Sequence, residues 1–361
     1  MALPRFARRL LLPLTIAAEA GLLGLVAAAG VIGLLISPLD RRLRLLRLAL
    51  MGGAYIVIEW AGLAWLLWIW MMRPLRGPGW WDTSNVEAVG RVLGAILGVA
   101  KRTVGLRVEI DQPCRPGPFQ EPDPVLVLAR HGGIGDSFVL VWLLASLHRR
   151  RPRVVLKRIL QWEPLIDVAL TRMGACFLPP NRVRHPATRP TGPDHGERLD
   201  TRVAALAEDL RPGDALLLFP EGGNWTPRRR IRAIRKLWAS RKQTAARAAA
   251  LMDHVLPPRA GGVLACLEAR PEIPVVVVAH TGLDKITTPG QLWSAVPFSV
   301  PMSLRWWPPT HPPYGKEERI HWLTTEWAVI DQWIDTRESE EVSRPSEPAP
   351  LPAPPVSGRG R

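Results

Sequence analysis

Cysteine is scarce in this chain. There are three in 361 residues, Cys114, Cys176 and Cys266, far apart and with no Cys-x-x-Cys pair. That excludes a disulfide framework and a cysteine-built zinc cluster, and it fits a reducing compartment. His-Glu-x-x-His is missing, and His185, His195 and Cys176 lack a metal-ligand spacing, so no metal is expected. Acidic residues are in deficit, 32 Asp and Glu against 47 Lys and Arg, for a net charge of +15. Such a balance favours an anionic partner: a membrane surface, a phosphorylated substrate or a nucleic acid. Nucleic acid is not expected, because no zinc finger or comparable recognition motif accompanies the charge. No internal repeat is present.

Long apolar runs, in contrast, are plentiful at the N-terminus. Leu10 to Ile36 is apolar apart from Glu19, and Leu48 to Met72 is broken only by Glu59. Each exceeds the ~20 residues that cross a bilayer, and both are too long for the ~7–15-residue core of a signal peptide. Five of the 16 tryptophans, Trp65, Trp68, Trp70, Trp80 and Trp81, sit where an interfacial belt belongs. Arginines flank both ends (Arg5, Arg8 and Arg9; Arg73 and Arg76) and also fill the connector (Arg41, Arg42, Arg44 and Arg47), so the positive-inside rule pulls both ways. A glutamate at a bilayer centre would cost ~2.5–3.5 kcal/mol if it behaved like aspartate. Two readings stay open: a two-span anchor, or a shallow, protein-packed hairpin with a basic amphipathic connector at headgroup level. Residues 1–76 are assigned to this anchor.

Beyond it, apolar strands alternate with amphipathic helices. Strands are predicted at "LRVEI", "PVLVLA", "RVVLK", "DALLLFP" and "IPVVVVAH". Helices are predicted at residues 85–101, "DSFVLVWLLASLHRR", "PLIDVALTRMG", "RVAALAEDL" and along the basic stretch after Pro227. The alternation predicts an α/β domain over residues 77–334, a mixed, mostly parallel sheet flanked by helices. Residues 179–198 read as a loop. From residue 335 the chain turns to Pro, Ser, Glu and Arg, and 335–361 is expected to be a disordered tail.

Two junctions carry chemistry. In "VLVLARHGGIGDSF" a buried strand ends at Arg130-His131, and Asp136 follows through three glycines. A side chain at a strand's C-terminal end, on the loop into a helix, sits where open α/β sheets bind ligands. Asp136 in that position would fix the tautomer of His131 and leave its other nitrogen as a base. The plainer alternative is a glycine turn with Asp136 merely capping a helix. A second His-x4-Asp, His195 with Asp200, lacks a preceding strand. In "LLLFPEGGNW" another apolar strand runs into a glycine turn with Glu221 at the junction, and "TPRRRIRAIRK" follows. Its cations suit a phosphate clamp, or contact with anionic lipid headgroups.

Together these elements resemble the lysophosphatidate acyltransferase family of glycerolipid acyltransferases. His131 and Asp136 match its first motif; Phe219, Pro220, Glu221 and Gly222 its third; Ile273, Pro274 and Val275 its fourth, all in the family's order. Lys157, Pro164, Gly174 and Phe177 fit the second, but Pro180 stands where its arginine is expected, and Arg182 follows two residues later, with Arg184 a further candidate. Arg130 replaces the usual asparagine and is expected to add a positive charge beside the site. "HVLPPRAGGV", carried by Leu256, Pro258, Arg259 and Gly262, is similar to an element of the lysocardiolipin acyltransferase-like subgroup.

The resemblance implies the glycerolipid acyltransferase fold with an N-terminal two-helix hairpin. It implies transfer of a fatty acyl chain from acyl-CoA or an acyl carrier protein to the free hydroxyl of a lysophospholipid, most simply 1-acylglycerol-3-phosphate, with lysocardiolipin an alternative acceptor. His131 would be the base and Asp136 its orienting acid. Glu221 would shape the acceptor pocket by binding a glycerol hydroxyl or a nearby backbone group, and backbone N–H groups near Gly222 and Gly223, or after His131, would hold the oxyanion. Lys157, Arg182, Arg228 and Arg259 would bind the substrate, chiefly its phosphate. No bound cofactor is implied, the thioester being a co-substrate. The expected place is a membrane with anionic lipids, with the catalytic domain on the cytoplasmic face. A competing reading is a lipid hydrolase using Ser137 of "GDSF", although the Asp-x-x-His such enzymes need and a Gly-x-Ser-x-Gly elbow are both missing. A non-catalytic basic adaptor is the third.

Overall fold

The computed structural model describes residues 8, 10–111, 123–133, 135–178, 195–284, 286 and 288–343, and every structural statement concerns these. The N-terminal runs form an antiparallel helix pair, α1 (Leu12–Leu35) and α2 (Arg44–Arg76). The Asp40 carboxylate closes the connector by accepting from the N–H groups of Arg42 at 3.3 Å and Arg44 at 2.6 Å. The helices touch backbone to backbone at Gly33, where a Cβ would lie 2.7 Å from the Leu46 nitrogen. Helix α2 outruns its apolar stretch at both ends, because arginine is a good helix former and needs no buried face. Both helices are long and apolar enough to cross a membrane. Their two acids are accommodated by protein: Glu19 accepts from the Trp60 indole at 2.8 Å, and Glu59 is buried.

Gly77, at φ 78°, separates α2 from α3 (Pro78–Thr103), which turns back over the domain. The chain then builds β1 (Val108–Ile110), β2 (Val125–Ala129), α4 (Asp136–Trp142, continued by a π turn, Leu143–Leu147), β3 (Arg151–Lys157), a 3-10 turn (Arg158–Trp162), α5 (Pro164–Arg172), β4 (Cys176–Leu178), α6 (His195–Glu208) and β5 (Asp214–Leu218). After these come α7 (Pro227–Ala239), α8 (Gln243–Ala250), α9 (Ala260–Ala269), β6 (Val275–Thr281), α10 (Pro289–Ala295), β7 (Met302–Trp306) and α11 (Lys316–Ser343).

The seven strands are ordered β1-β7-β6-β2-β5-β3-β4. Pairing is parallel from β6 through β4, and β7 pairs antiparallel with β6 while β1 runs alongside β7. The expected mixed, mostly parallel sheet is therefore present. Strands β2, β5 and β6 are buried along their whole length, which is why they read as unbroken apolar runs instead of alternating ones. Helices α3, α4 and α5 cover one face, around Leu93, Leu140 and Leu170. Helices α6, α9 and α11 cover the other, around Leu206, Cys266 and Trp327.

Two expectations need correction. The tail does not begin at residue 335, because α11 continues to Ser343. Its Trp327, Ile330 and Ile334 pack on the sheet and carry the helix past the polar switch. Residues 344–361 lie outside the described residues. Of the loop expected over 179–198, residues 179–194 lie outside the described residues, and 195–198 belong to α6. Strand β4 was not visible in the pattern, being only three residues long.

Candidate active site

Strand β2 delivers Arg130 and His131 to the C-terminal edge of the parallel strands, and the glycine loop brings the chain straight back into α4. Gly135 adopts φ 91°, which favours glycine. Gly133 packs so closely that a Cβ would meet the Leu283 carbonyl oxygen at 2.4 Å. The result is a His131 Nδ1 to Asp136 Oδ2 distance of 2.9 Å. Asp136 is almost fully buried. It also accepts from the Gly133 N–H at 3.2 Å, the Ser137 N–H at 2.5 Å and the Ser137 hydroxyl at 3.1 Å. Burial works to raise this carboxyl, but the hydrogen bond from His131, the neighbouring His280 and the Gly133 N–H outweigh it and hold it at about 2. An ionised, acceptor-only carboxylate at Nδ1 requires the proton there and leaves the Nε2 lone pair free. His131 keeps 20% of its side chain exposed, against 1% for Asp136.

His131 and Asp136 line a cavity of about 480 Å³, within the ordinary range for ligand sites. Lys157, Gly222, Gly223 and Arg259 line the same cavity. Apart from Tyr55, Ser137 and Glu163, its remaining wall is apolar and reaches deep between helices, past Val92, Leu93 and Ile96 of α3 and Leu165 and Leu170 of α5. Lys157, Ile159 and Arg259 are exposed and mark where it opens. The Arg259 guanidinium lies over Gly222, where a Cβ would meet it at 2.9 Å. The sequence motifs, scattered over more than a hundred residues, thus converge on one chamber with a cationic rim and an apolar interior.

Several expected site residues are placed differently. Glu221 does not line the cavity. It is buried beneath the corner, where its Oε1 accepts from the Trp327 indole of α11 at 3.3 Å. Burial pushes its carboxyl up to about 8, against the pull of the Arg130 guanidinium. Of the two partners expected for Glu221, a glycerol hydroxyl and a nearby backbone group, it has the second, with the Leu256 and His131 backbone N–H groups at its carboxyl, and the residue locks the Pro-Glu-Gly corner onto the helix layer. Gly222 is not an oxyanion donor, since its N–H is already given to the Phe219 carbonyl at 3.0 Å. Of the glycines after His131, Gly133 has spent its N–H on Asp136. Arg228 is exposed on α7 and does not line the cavity. Arg182 and Arg184 lie outside the described residues.

Residues 114–280 match the family described as Acyltransferase. This segment is similar to an acyltransferase domain. The match runs from before β2 through β6 and includes both junctions. No curated protein matches the chain. Among solved structures, the 1-acyl-sn-glycerophosphate (LPA) acyltransferase PlsC from Thermotoga maritima is similar at 12% identity with a TM-score of 0.46, covering 80% of this chain and 100% of that one.

Two side chains at the domain's centre, His280 and Asp284, went unnoticed in the sequence, and Arg130 joins them in a role other than the expected one. His280 ends β6 with its Nε2 2.9 Å from the Arg130 carbonyl and 3.4 Å from Asp136 Oδ2. Arg130 is fully buried instead of adding charge to the cavity. It donates to the His254 carbonyl through Nε at 3.0 Å and Nη2 at 2.6 Å, to the His280 carbonyl at 2.8 Å, and faces Asp284 at 3.5 Å. Asp284 in turn accepts from the Gly282 N–H at 2.9 Å. One signal was available: "VVVVAH" ends a buried strand on a titratable residue, just as "VLVLARH" does.

Proposed function

We propose that this protein moves a fatty acyl chain from an acyl thioester, acyl-CoA or an acyl carrier protein, to the free hydroxyl of a membrane lysophospholipid, with 1-acylglycerol-3-phosphate the leading acceptor. The observation that carries the proposal is the hydrogen-bonded His131–Asp136 pair on the wall of a long apolar chamber with cations at its opening. A thioester is already activated, so no enzyme nucleophile is required. An alcohol, in contrast, is a poor nucleophile until a base takes its proton. Nε2 of His131 takes that proton as the alcohol oxygen attacks the thioester carbonyl. The tetrahedral intermediate collapses, the carbon–sulfur bond breaks, and the imidazolium returns the proton to the departing thiolate. Asp136 holds the ring and steadies its transient charge.

The apolar wall of α3 and α5 suits an alkyl chain, and Lys157 and Arg259 suit a phosphate. The α1–α2 pair holds the chamber at the bilayer, where both acyl chains are found, with the domain on the cytoplasmic face. The test is a panel of lysophosphatidate, lysocardiolipin and lysophosphatidylinositol with radiolabelled acyl-CoA and acyl carrier protein, using the purified full chain. Turnover of lysophosphatidate well above the others is expected, and no transfer to any acceptor would refute the assignment.

The hydrolase reading finds no geometric support. The Ser137 hydroxyl donates to Asp136, leaving it without an imidazole to activate it. Ser137→Ala is therefore expected to keep transfer within about tenfold of the parent: one charge-assisted hydrogen bond of ~1.5–3 kcal/mol is lost, but the Asp136 carboxylate keeps His131 and the Gly133 and Ser137 N–H groups. Abolished activity in a folded S137A protein, measured in the same assay, would revive the hydrolase.

A further inference from the structure

The basic stretch after Pro227 takes no part in the chemistry above, yet it is the strongest charge feature of the chain. Residues 227–250 contain nine Lys and Arg and no Asp or Glu. They fold as α7 and α8. Arg230 is committed, to Asp253 and to the carbonyls of Met252 and Ala250. Arg228, Arg232, Arg235, Lys236, Arg241, Lys242 and Arg247 are exposed.

No residue of α7 is buried. Ile234 and Leu237 lean on the core from its inner face. Ile231 and Trp238, two turns apart and so on one outer face, are 47% and 45% exposed. Arg228 and Arg235 fall beside them at helical spacing. An exposed tryptophan and isoleucine bordered by arginines are what an interfacial helix presents to a lipid surface, with the ring at headgroup depth and the cations against phosphates.

Location adds to this. Thr226 caps α7, and Arg229 lies beside Gly223 on the cavity wall, so the helix starts at the rim of the chamber. The neighbouring part of the rim, the end of β3 and the turn after it, carries Lys157 with Ile159 and Trp162, the last two 67% and 54% exposed. Trp162 in turn borders a groove with Leu11 and Leu12 at the start of the apolar hairpin. Cations paired with exposed apolar side chains therefore border the opening on two elements.

We propose that α7 and α8 form a second membrane contact, separate from the hairpin, that docks the chamber's opening on a bilayer bearing anionic lipid. A lipid surface fits better than an acidic protein because the exposed apolar side chains are few, well separated and shared with the hairpin's side of the opening. The hairpin holds the protein to any bilayer, whereas this surface sets how the opening faces it and makes that orientation depend on lipid charge.

The experiment is hydrogen exchange of the full chain in nanodiscs of phosphatidylcholine alone and with a third phosphatidylglycerol. Amides of residues 227–250 are expected to exchange about tenfold or more slowly on the anionic discs, the scale of two or three cations at a charged surface. The protection should fade in high salt as the screening length drops from ~8 Å to ~3 Å. A variant carrying Arg232→Glu, Arg235→Glu and Lys236→Glu should lose the protection but keep parental transfer in neutral detergent micelles. A second set, R241Q, K242Q and R247Q, should lose part of it. Equal exchange on both discs, protection that survives charge reversal, or protection that appears only with an acidic carrier protein would each overturn the proposal. Failure of transfer in micelles by the parent protein would instead count against the proposed function.

Discussion

Replacing His131 with alanine is expected to lower the turnover number by about 10²–10⁴-fold, the usual contribution of a positioned base, with little change in thermal stability. The side chain is partly exposed at the cavity wall, so truncation opens space toward solvent without leaving a hole in the core. Asp136, the partner left behind, retains the Gly133 and Ser137 donors. The KM for either substrate should move much less than kcat, because the lost interaction belongs to proton transfer and not to ground-state binding. Steady-state kinetics of the purified variant beside its melting curve check this. Turnover at the parental rate would remove His131 from the mechanism.

The same geometry fixes a pH behaviour. Asp136 has a folded value of about 2, below its ordinary 3.8. A depressed carboxyl contributes stability that is fully present above the unfolded value and is lost as pH falls through the folded one. Across any assay range near neutrality Asp136 therefore stays ionised, and an acid limb in the rate profile reports another group.

Replacing Arg130 with methionine is expected to cost roughly 3–5 kcal/mol of stability, as when one partner of a buried ion pair is removed. The guanidinium bridges β2, the end of β6 and the segment before α9 in one planar fork. Without it the His254 and His280 carbonyls lose their donor and Asp284 loses its counter-charge inside the protein. Lysine should rescue little, because a single ammonium cannot span three acceptors in different directions. Thermal unfolding in detergent reads the effect directly. An unchanged melting point would show that Arg130 is dispensable for stability.

Arg130 also shows where reading the chain reached its limit. Beside His131, it looked like a charge aimed at the substrate. Successive residues of a strand point to opposite sides, so one enters the cavity and the other enters protein. Which goes where depended on β6 arriving alongside, with His280 and Asp284 as partners. Glu221 faces protein instead of the cavity for a related reason. The residue that occupies it, Trp327, lies over a hundred positions away on α11, a helix that the apolar pattern did not announce. Lys157 and Arg259, on the other hand, both line the cavity.

The sequence by itself determined the two apolar N-terminal helices, the buried parallel strands and the pairing of His131 with Asp136. Each is a local property: run length, periodicity, and a glycine loop short enough to bring the two side chains within reach. Tertiary structure alone decided which polar groups at the strand ends face the chamber and which are consumed as internal supports. That choice depends on the neighbouring strand's register and on a distant helix closing the layer, and neither is written in the spacing of nearby residues.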